Sequence, residues 1–222
     1  MPAEIPICAL NSPSKEYYFR RKHKNFFIKM ARKTHFTYRE VEALAVIHRK
    51  VLNTCGPMTR SVFRDIFHSG FDFTENIRHI LIDRIFSTID KTTSLQIRMD
   101  HWIEALSIIL RGTLDERTKF AYKVYDLLKT NRLKKEQIFP MMRGCLIAHS
   151  PDEDPDDGVK DLIDLMIKKL DVDRDGYVSR QDFGTAVKER GEALLECMGP
   201  VFPSRNARHS FLTTFTDQVG RI

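Results

Sequence analysis

Apolar residues recur along this chain at three- and four-residue intervals, a spacing that predicts one helix after another. Residues 37–52 open with Thr37-Tyr-Arg-Glu40, a capping-box pattern, and continue with Val41, Leu44, Ala45, Ile47, His48 and Val51 on the helical repeat. Cys55-Gly-Pro57 ends that helix, and Thr59 can cap a second one that carries Val62, Phe63, Ile66 and Phe67 on one face. The period resumes over 75–89 through Ile77, Ile80, Leu81, Ile85, Phe86 and Ile89, and over 100–110 through Trp102, Ile103, Leu106, Ile109 and Leu110. It continues over 114–128, 135–148 and 158–170, the last through Leu162, Ile163, Met166, Ile167 and Leu170. No stretch of comparable length alternates with period two. The expected fold is therefore all-α, with β structure limited to very short pairings between loops.

One gap between helices carries chemistry. Asp171-Val-Asp-Arg-Asp-Gly-Tyr-Val-Ser-Arg-Gln-Asp182 has the spacing of a twelve-residue divalent-cation loop. A hard cation needs six or more oxygen ligands from a short segment. Asp171, Asp173 and Asp175 place carboxylates at positions one, three and five. Gly176 permits the turn at position six, where a side chain would meet unfavourable dihedrals. Tyr177 offers its backbone carbonyl at position seven, Ser179 can act through a water at position nine, and Asp182 closes the loop at position twelve. Glutamate is the usual closing residue and binds through both oxygens; Asp182 is one methylene shorter. That shortening makes Mg²⁺ an alternative to Ca²⁺ and sets an expected Ca²⁺ dissociation constant of roughly 10⁻⁶ to 10⁻⁴ M.

Two further gaps have the same length without the same donors. From Asp90 to His101 only Asp90, Thr92 and Ser94 remain as oxygen donors, Leu95 stands at the turn position, and His101 replaces the closing acid. From Asp126 to Gln137, Leu128 occupies a carboxylate position and cationic residues crowd the loop. Neither holds enough negative charge to offset dehydration of a divalent ion. Both keep an apolar residue at position eight, Ile97 and Leu133, matching Val178, the position that pairs neighbouring loops. A fourth hand around Asn53 to Met58 is too short in its loop to bind by this pattern. The expectation is two lobes of paired hands, with one competent loop.

Charge adds a local feature. The chain of 222 residues carries a net +6. Residues 15–33 hold eight Lys or Arg and one Glu, a balance of +7, so the remainder stands at −1. Tyr17, Tyr18, Phe19, Phe26 and Phe27 interleave with these cations. The segment reads either as a solvated basic tail or as a contact for an acidic surface, with no groove-reading motif to point to nucleic acid. No apolar run spans a bilayer, the first residues lack the layout of a signal peptide, and Pro2 excludes N-myristoylation, so no lipid anchor is expected. Cys8, Cys55, Cys145 and Cys197 are widely spaced and read as reduced thiols of a cytoplasmic protein. No metal-type histidine spacing, phosphate loop or nucleophile elbow is present, so no enzyme is expected. Trp102 reads as core, and the acidic run from Asp152 to Asp157 as a solvated linker.

With these loops and helices in place, the chain resembles the neuronal-calcium-sensor and calcineurin-B-like branch of EF-hand proteins. Residues 105–126 look like that branch's linker between its second and third hands. Within the branch, residues 154–162 running into Lys168-Lys-Leu-Asp171, together with Leu194-Leu-Glu and Gly199-Pro200, are most similar to the calaxin type of ciliary EF-hand protein. That likeness implies a protein partner, an outer-arm dynein or microtubule-associated component, and residence in the axoneme of a cilium or flagellum. It covers about residues 35–203; the loss of the upstream loops and the basic segment depart from it. The implied organisation is a basic tail over 1–35, an N-terminal lobe of degenerate hands over 36–112, a C-terminal lobe over 113–198 and a closing segment over 199–222. The closing segment, with Phe202, Phe211, Leu212 and Phe215, reads as a groove plug or a free tail. Met141, Met142, Met166, Ile167, Phe183 and Val187 are candidates for a partner groove or plain core. Three readings stay open: a Ca²⁺-responsive regulator, a constitutive adaptor with a static Ca²⁺ or Mg²⁺ staple, and a regulator of a membrane enzyme or channel.

Overall fold

The computed structural model describes residues 13–71, 79–143, 155–197 and 201–218. Twelve helices and two short strands follow in chain order among them. They are α1 (Pro13–Lys22), α2 (Lys24–Lys33), α3 (Tyr38–Cys55), α4 (Arg60–Phe71), α5 (His79–Ile89), α6 (Met99–Arg111), α7 (Leu114–Tyr125), β1 (Arg132–Leu133), α8 (Lys135–Met142), α9 (Pro155–Leu170), β2 (Val178–Ser179), α10 (Arg180–Arg190), α11 (Ala193–Cys197) and α12 (Arg205–Thr213). The all-α expectation holds, and the strands are a single two-residue antiparallel pairing. Leu133 faces Val178 across it, so the position-eight residues of two loops do join their hands. The preceding pair of loops is joined by one bond, Ile97 N–H to the Met58 carbonyl at 3.0 Å. His48 reaches the Ile97 carbonyl from α3 at 3.0 Å.

Local sequence explains where helices begin. Thr37 and Glu40 form the capping box at α3, with the Thr37 N–H donating to Glu40 Oε2 at 2.8 Å. Thr113 and Glu116 repeat it at α7, and Ser179 and Asp182 at α10. Gly56, at φ 80°, ends α3 in a conformation that glycine adopts without steric cost. Apolar faces then meet in one continuous core running from Phe27 through Trp102, Tyr125 and Phe183 to Leu212. The two halves of the chain share it: α5 packs on α7 and α8. Arg84 of α5 also donates to the Val124 carbonyl at 3.0 Å, satisfying the end of α7. Burial holds the Arg84 guanidinium below its ordinary value, and Asp126 acts against that shift.

Several expectations change. Residues 24–33 are no solvated tail: α2 packs on α3 and α6, with Phe27 and Met30 buried. The alternation of cations and aromatics hid that face, because the buried pair lies three residues apart on one side of a helix. Nor is all of the acidic run a linker, since α9 starts at Pro155 and Asp156 pairs with Arg143 at 2.7 Å. Residues 152–154 lie outside the described residues, as do 75–78, 144–148, Cys8 and Gly199-Pro200, which the sequence reading also used. The closing segment is neither free nor set in the C-terminal half alone. α12 packs on α4, where Phe211 stacks on Phe71 with ring centroids 4.4 Å apart and Leu212 is buried. Met141, Met142, Met166, Phe183 and Val187 are buried, while Ile167 is partly buried against the same core. Trp102 is core, as expected. Cys55 is a free, exposed thiol.

Candidate metal site

The site is positioned from both sides. α9 ends at Leu170, fully buried, which fixes the departure of Asp171. Val178, also fully buried, pins the loop's far side through β2, and Tyr122 of α7 donates its hydroxyl to the Val178 carbonyl at 3.1 Å. Burial raises the Tyr122 phenol well above its ordinary value and keeps it a donor. Between these anchors the chain turns through Arg174 at φ 60° and Gly176 at φ 86°.

That turn brings three of the sequence-predicted groups together. Carboxylate oxygens of Asp171, Asp173 and Asp175 lie within 4.8 Å of one another. The loop's own N–H groups orient them: Gly176 donates to Asp171 Oδ2 at 2.9 Å, Asp175 to Asp173 Oδ1 at 3.2 Å and Tyr177 to Asp175 Oδ1 at 2.9 Å. Three like charges at this spacing repel, and the Asp173 carboxyl sits above its ordinary value. The Asp175 N–H pulls it down, but lost solvation and the charges of Asp175 and Asp182, with the Asp171 carboxylate beside them, outweigh that pull.

Asp182 is not part of the cluster. Its Oδ2 accepts from the Ser179 N–H at 3.0 Å and the Ser179 hydroxyl at 2.5 Å, so both residues are engaged in capping α10. Asp182 is buried and reaches the site through its field on Asp173. Tyr177 lies alongside, its ring under Lys134 at 5.0 Å and Arg132 at 5.3 Å. Those two cations from the neighbouring hand flank the loop, and their approach could be read from the position-eight register alone.

The other two loops make a direct internal comparison. Positive φ recurs at their fourth and sixth positions: Thr93 and Leu95, then Lys129 and Asn131, as at Arg174 and Gly176. The first-position carboxylate accepts from the sixth-position N–H in all three, at 2.8 Å from Leu95 to Asp90 and 3.0 Å from Asn131 to Asp126. They differ at the other oxygen. Asp90 Oδ1 accepts from the N–H and hydroxyl groups of Thr92 and Ser94, and Asp126 Oδ1 from the Thr130 N–H. Asp171 Oδ1 is buried and has no hydrogen-bond partner. A buried carboxylate oxygen left without a donor is costly unless a cation meets it. Oxygen donors alone, clustered on one loop, suit a hard divalent ion.

Helix, twelve-residue loop and helix, paired with a second such unit through a short antiparallel bridge, define an EF-hand protein. The family description "EF-hand domain pair" matches residues 115–188. Calaxin of Xenopus laevis is 36% identical over 183 residues, covering 80% of this chain and 86% of that protein. Calaxin of Danio rerio matches at 36% over 80% of this chain and 85% of its own length, and human calaxin at 36% over 69% and 71%. The chain belongs to the calaxin family of EF-hand proteins, a family of regulators and not of enzymes. Among the described residues no helix is long and apolar enough to cross a membrane.

Proposed function

We propose that this protein is a calcium-binding EF-hand regulator that takes one metal ion at residues 171–182 and binds a protein partner. Asp171, Asp173 and Asp175 would hold the ion through carboxylates, Tyr177 through its backbone carbonyl, Ser179 through a water, with Asp182 closing the loop. A bound divalent cation supplies the positive charge that three adjacent carboxylates lack. The single observation that carries this reading is the orphan oxygen of Asp171, beside two loops whose equivalent oxygens are filled by the chain's own donors. The boundaries at 36–112 and 113–198 divide the protein, on this proposal, into a lobe of degenerate hands and a lobe with the working loop.

Kinship with calaxin supports the partner class: an outer-arm dynein or microtubule-associated component, in the axoneme of a cilium or flagellum. A second reading has its own observation. Ser179 holds Asp182 at the start of α10, which leaves the shorter acid poorly placed to clamp a large ion through two oxygens. The site would then be a static Mg²⁺ or Ca²⁺ staple in a constitutive adaptor. A Ca²⁺ titration of the full chain in millimolar Mg²⁺, followed by an apolar dye, separates the two. Dye uptake on Ca²⁺ addition supports the regulator; tight metal binding with an unchanged dye signal supports the adaptor. Recovery of dynein or microtubule components from ciliated cells tests the partner, and failure to recover either counts against it.

A further inference from the structure

A cleft of about 940 Å³ opens between α1 and the C-terminal part of α3, remote in sequence from the metal loop. Lys15 and Lys22 line it from α1, Arg49 and Lys50 from α3, and all four side chains are exposed. None of them has an acidic group within ion-pair distance among the described residues. The lining contains one acid, Glu16, and that charge is already taken: Arg20 holds it at 2.5 Å and reaches Glu42 at 3.3 Å on its other side. That group of one cation and two acids carries −1, so the four cations facing one concavity leave a local excess of +3. Tyr18, two-thirds exposed, stands in the same lining.

Like charges gathered on two helices repel, and such an arrangement gains by taking an anion between them. Its shape selects among anions. The cations stand on two separate helices around a concavity, which suits an extended chain lying in it with carboxylates on both sides. A bilayer surface is broad and would meet the rim. α1 also lacks the segregated apolar face of an interfacial helix, since Tyr17, Tyr18 and Phe19 are consecutive and so spread around the helix instead of lining one side.

We propose that this cleft is a docking site for an acidic peptide segment of a protein partner, held by Lys15, Lys22, Arg49 and Lys50 with Tyr18 beside them. No residue of the loop 171–182 takes part, so the proposal stands or falls separately from the metal reading. The sequence pointed to the basic segment 15–33, which spans α1 and α2; the fold adds Arg49 and Lys50 from α3.

The test uses the full chain and a fluorescent poly-glutamate peptide, read by anisotropy. Binding is expected, weakening as salt rises. Replacing Lys15→Gln, Lys22→Gln, Arg49→Gln and Lys50→Gln together is expected to weaken it about tenfold or more. The matched set Lys123→Gln, Lys129→Gln, Lys168→Gln and Lys188→Gln, exposed cations in the other half of the chain, is expected to leave it unchanged. Circular dichroism confirms that both variants keep the parent helix content. The proposal is overturned if the peptide does not bind, if both sets weaken binding equally, or if anionic phospholipid vesicles or duplex DNA bind more tightly through the same four residues.

Discussion

Leu95 donates its N–H to the Asp90 carboxylate at 2.8 Å while standing in a left-handed conformation at φ 60°. A branched side chain holds a glycine position there because the loop's polar groups close on Asp90, where an ion would otherwise sit. The strain is real, since left-handed backbone costs a residue with a Cβ about 1–2 kcal/mol. Leu95→Gly is therefore expected to raise stability by about 0.5–1 kcal/mol after the added freedom of the unfolded chain is counted. Leu95 is two-thirds exposed, so little packing is lost. Thermal denaturation measures the gain, and calorimetry of the same variant should show no second metal site.

Asp182→Glu is expected to tighten Ca²⁺ binding about tenfold and to reduce the relative preference for Mg²⁺. Glutamate at that position also suits the capping box with Ser179, so α10 should keep its start. Competition titrations of Ca²⁺ against Mg²⁺ in both proteins read the change. Equal affinities would mean that position twelve does not limit this loop.

Glu40 ties three segments together. Arg111 of α6 grips it with two nitrogens, at 2.7 and 3.0 Å, and Thr216 beyond α12 donates to it at 2.7 Å. Burial alone would raise the Glu40 carboxyl. Hydrogen bonds from Arg111, Thr37 and Thr216 outweigh burial and hold it below its ordinary value. A carboxyl lowered in the folded state contributes stability above the unfolded value, which disappears as pH falls through the folded one. Denaturation should thus show stability falling below pH 4.5, the ordinary glutamate value, with a shallower fall in Glu40→Gln. At neutral pH that variant is expected to lose about 3 kcal/mol, because Arg111 is left without its charge partner.

Phe211→Ala tests whether the closing segment belongs to the fold. Its ring stacks on Phe71 and meets Phe215 at 5.8 Å. Loss of that partly buried ring is expected to cost about 2 kcal/mol and to expose residues 205–218 to proteolysis. Unchanged stability would make α12 a passive attachment.

Much of this molecule could be read from its sequence. Helical periodicity located the principal helices that build the core, Thr37 and Glu40 marked a capping box, and the position-eight residues foretold the Leu133–Val178 pairing. The acidic loop was visible because its donors fall within twelve residues of sequence at a fixed spacing. What escaped were features made by distant residues meeting: α2 turning Phe27 and Met30 inward, α12 returning to α4, and Arg49 and Lys50 facing α1. The position of Asp182 escaped too, since a twelve-residue spacing does not reveal that Ser179 competes for its carboxylate.

Isothermal titration of Ca²⁺ into the full chain and into its Asp171→Asn variant bears most directly on the metal loop. One site with a Kd of roughly 10⁻⁶ to 10⁻⁴ M in the parent, and none in the variant, is the expected result. A parent that binds no Ca²⁺, or a variant that binds it as tightly as the parent, would contradict the assignment of residues 171–182 as the site.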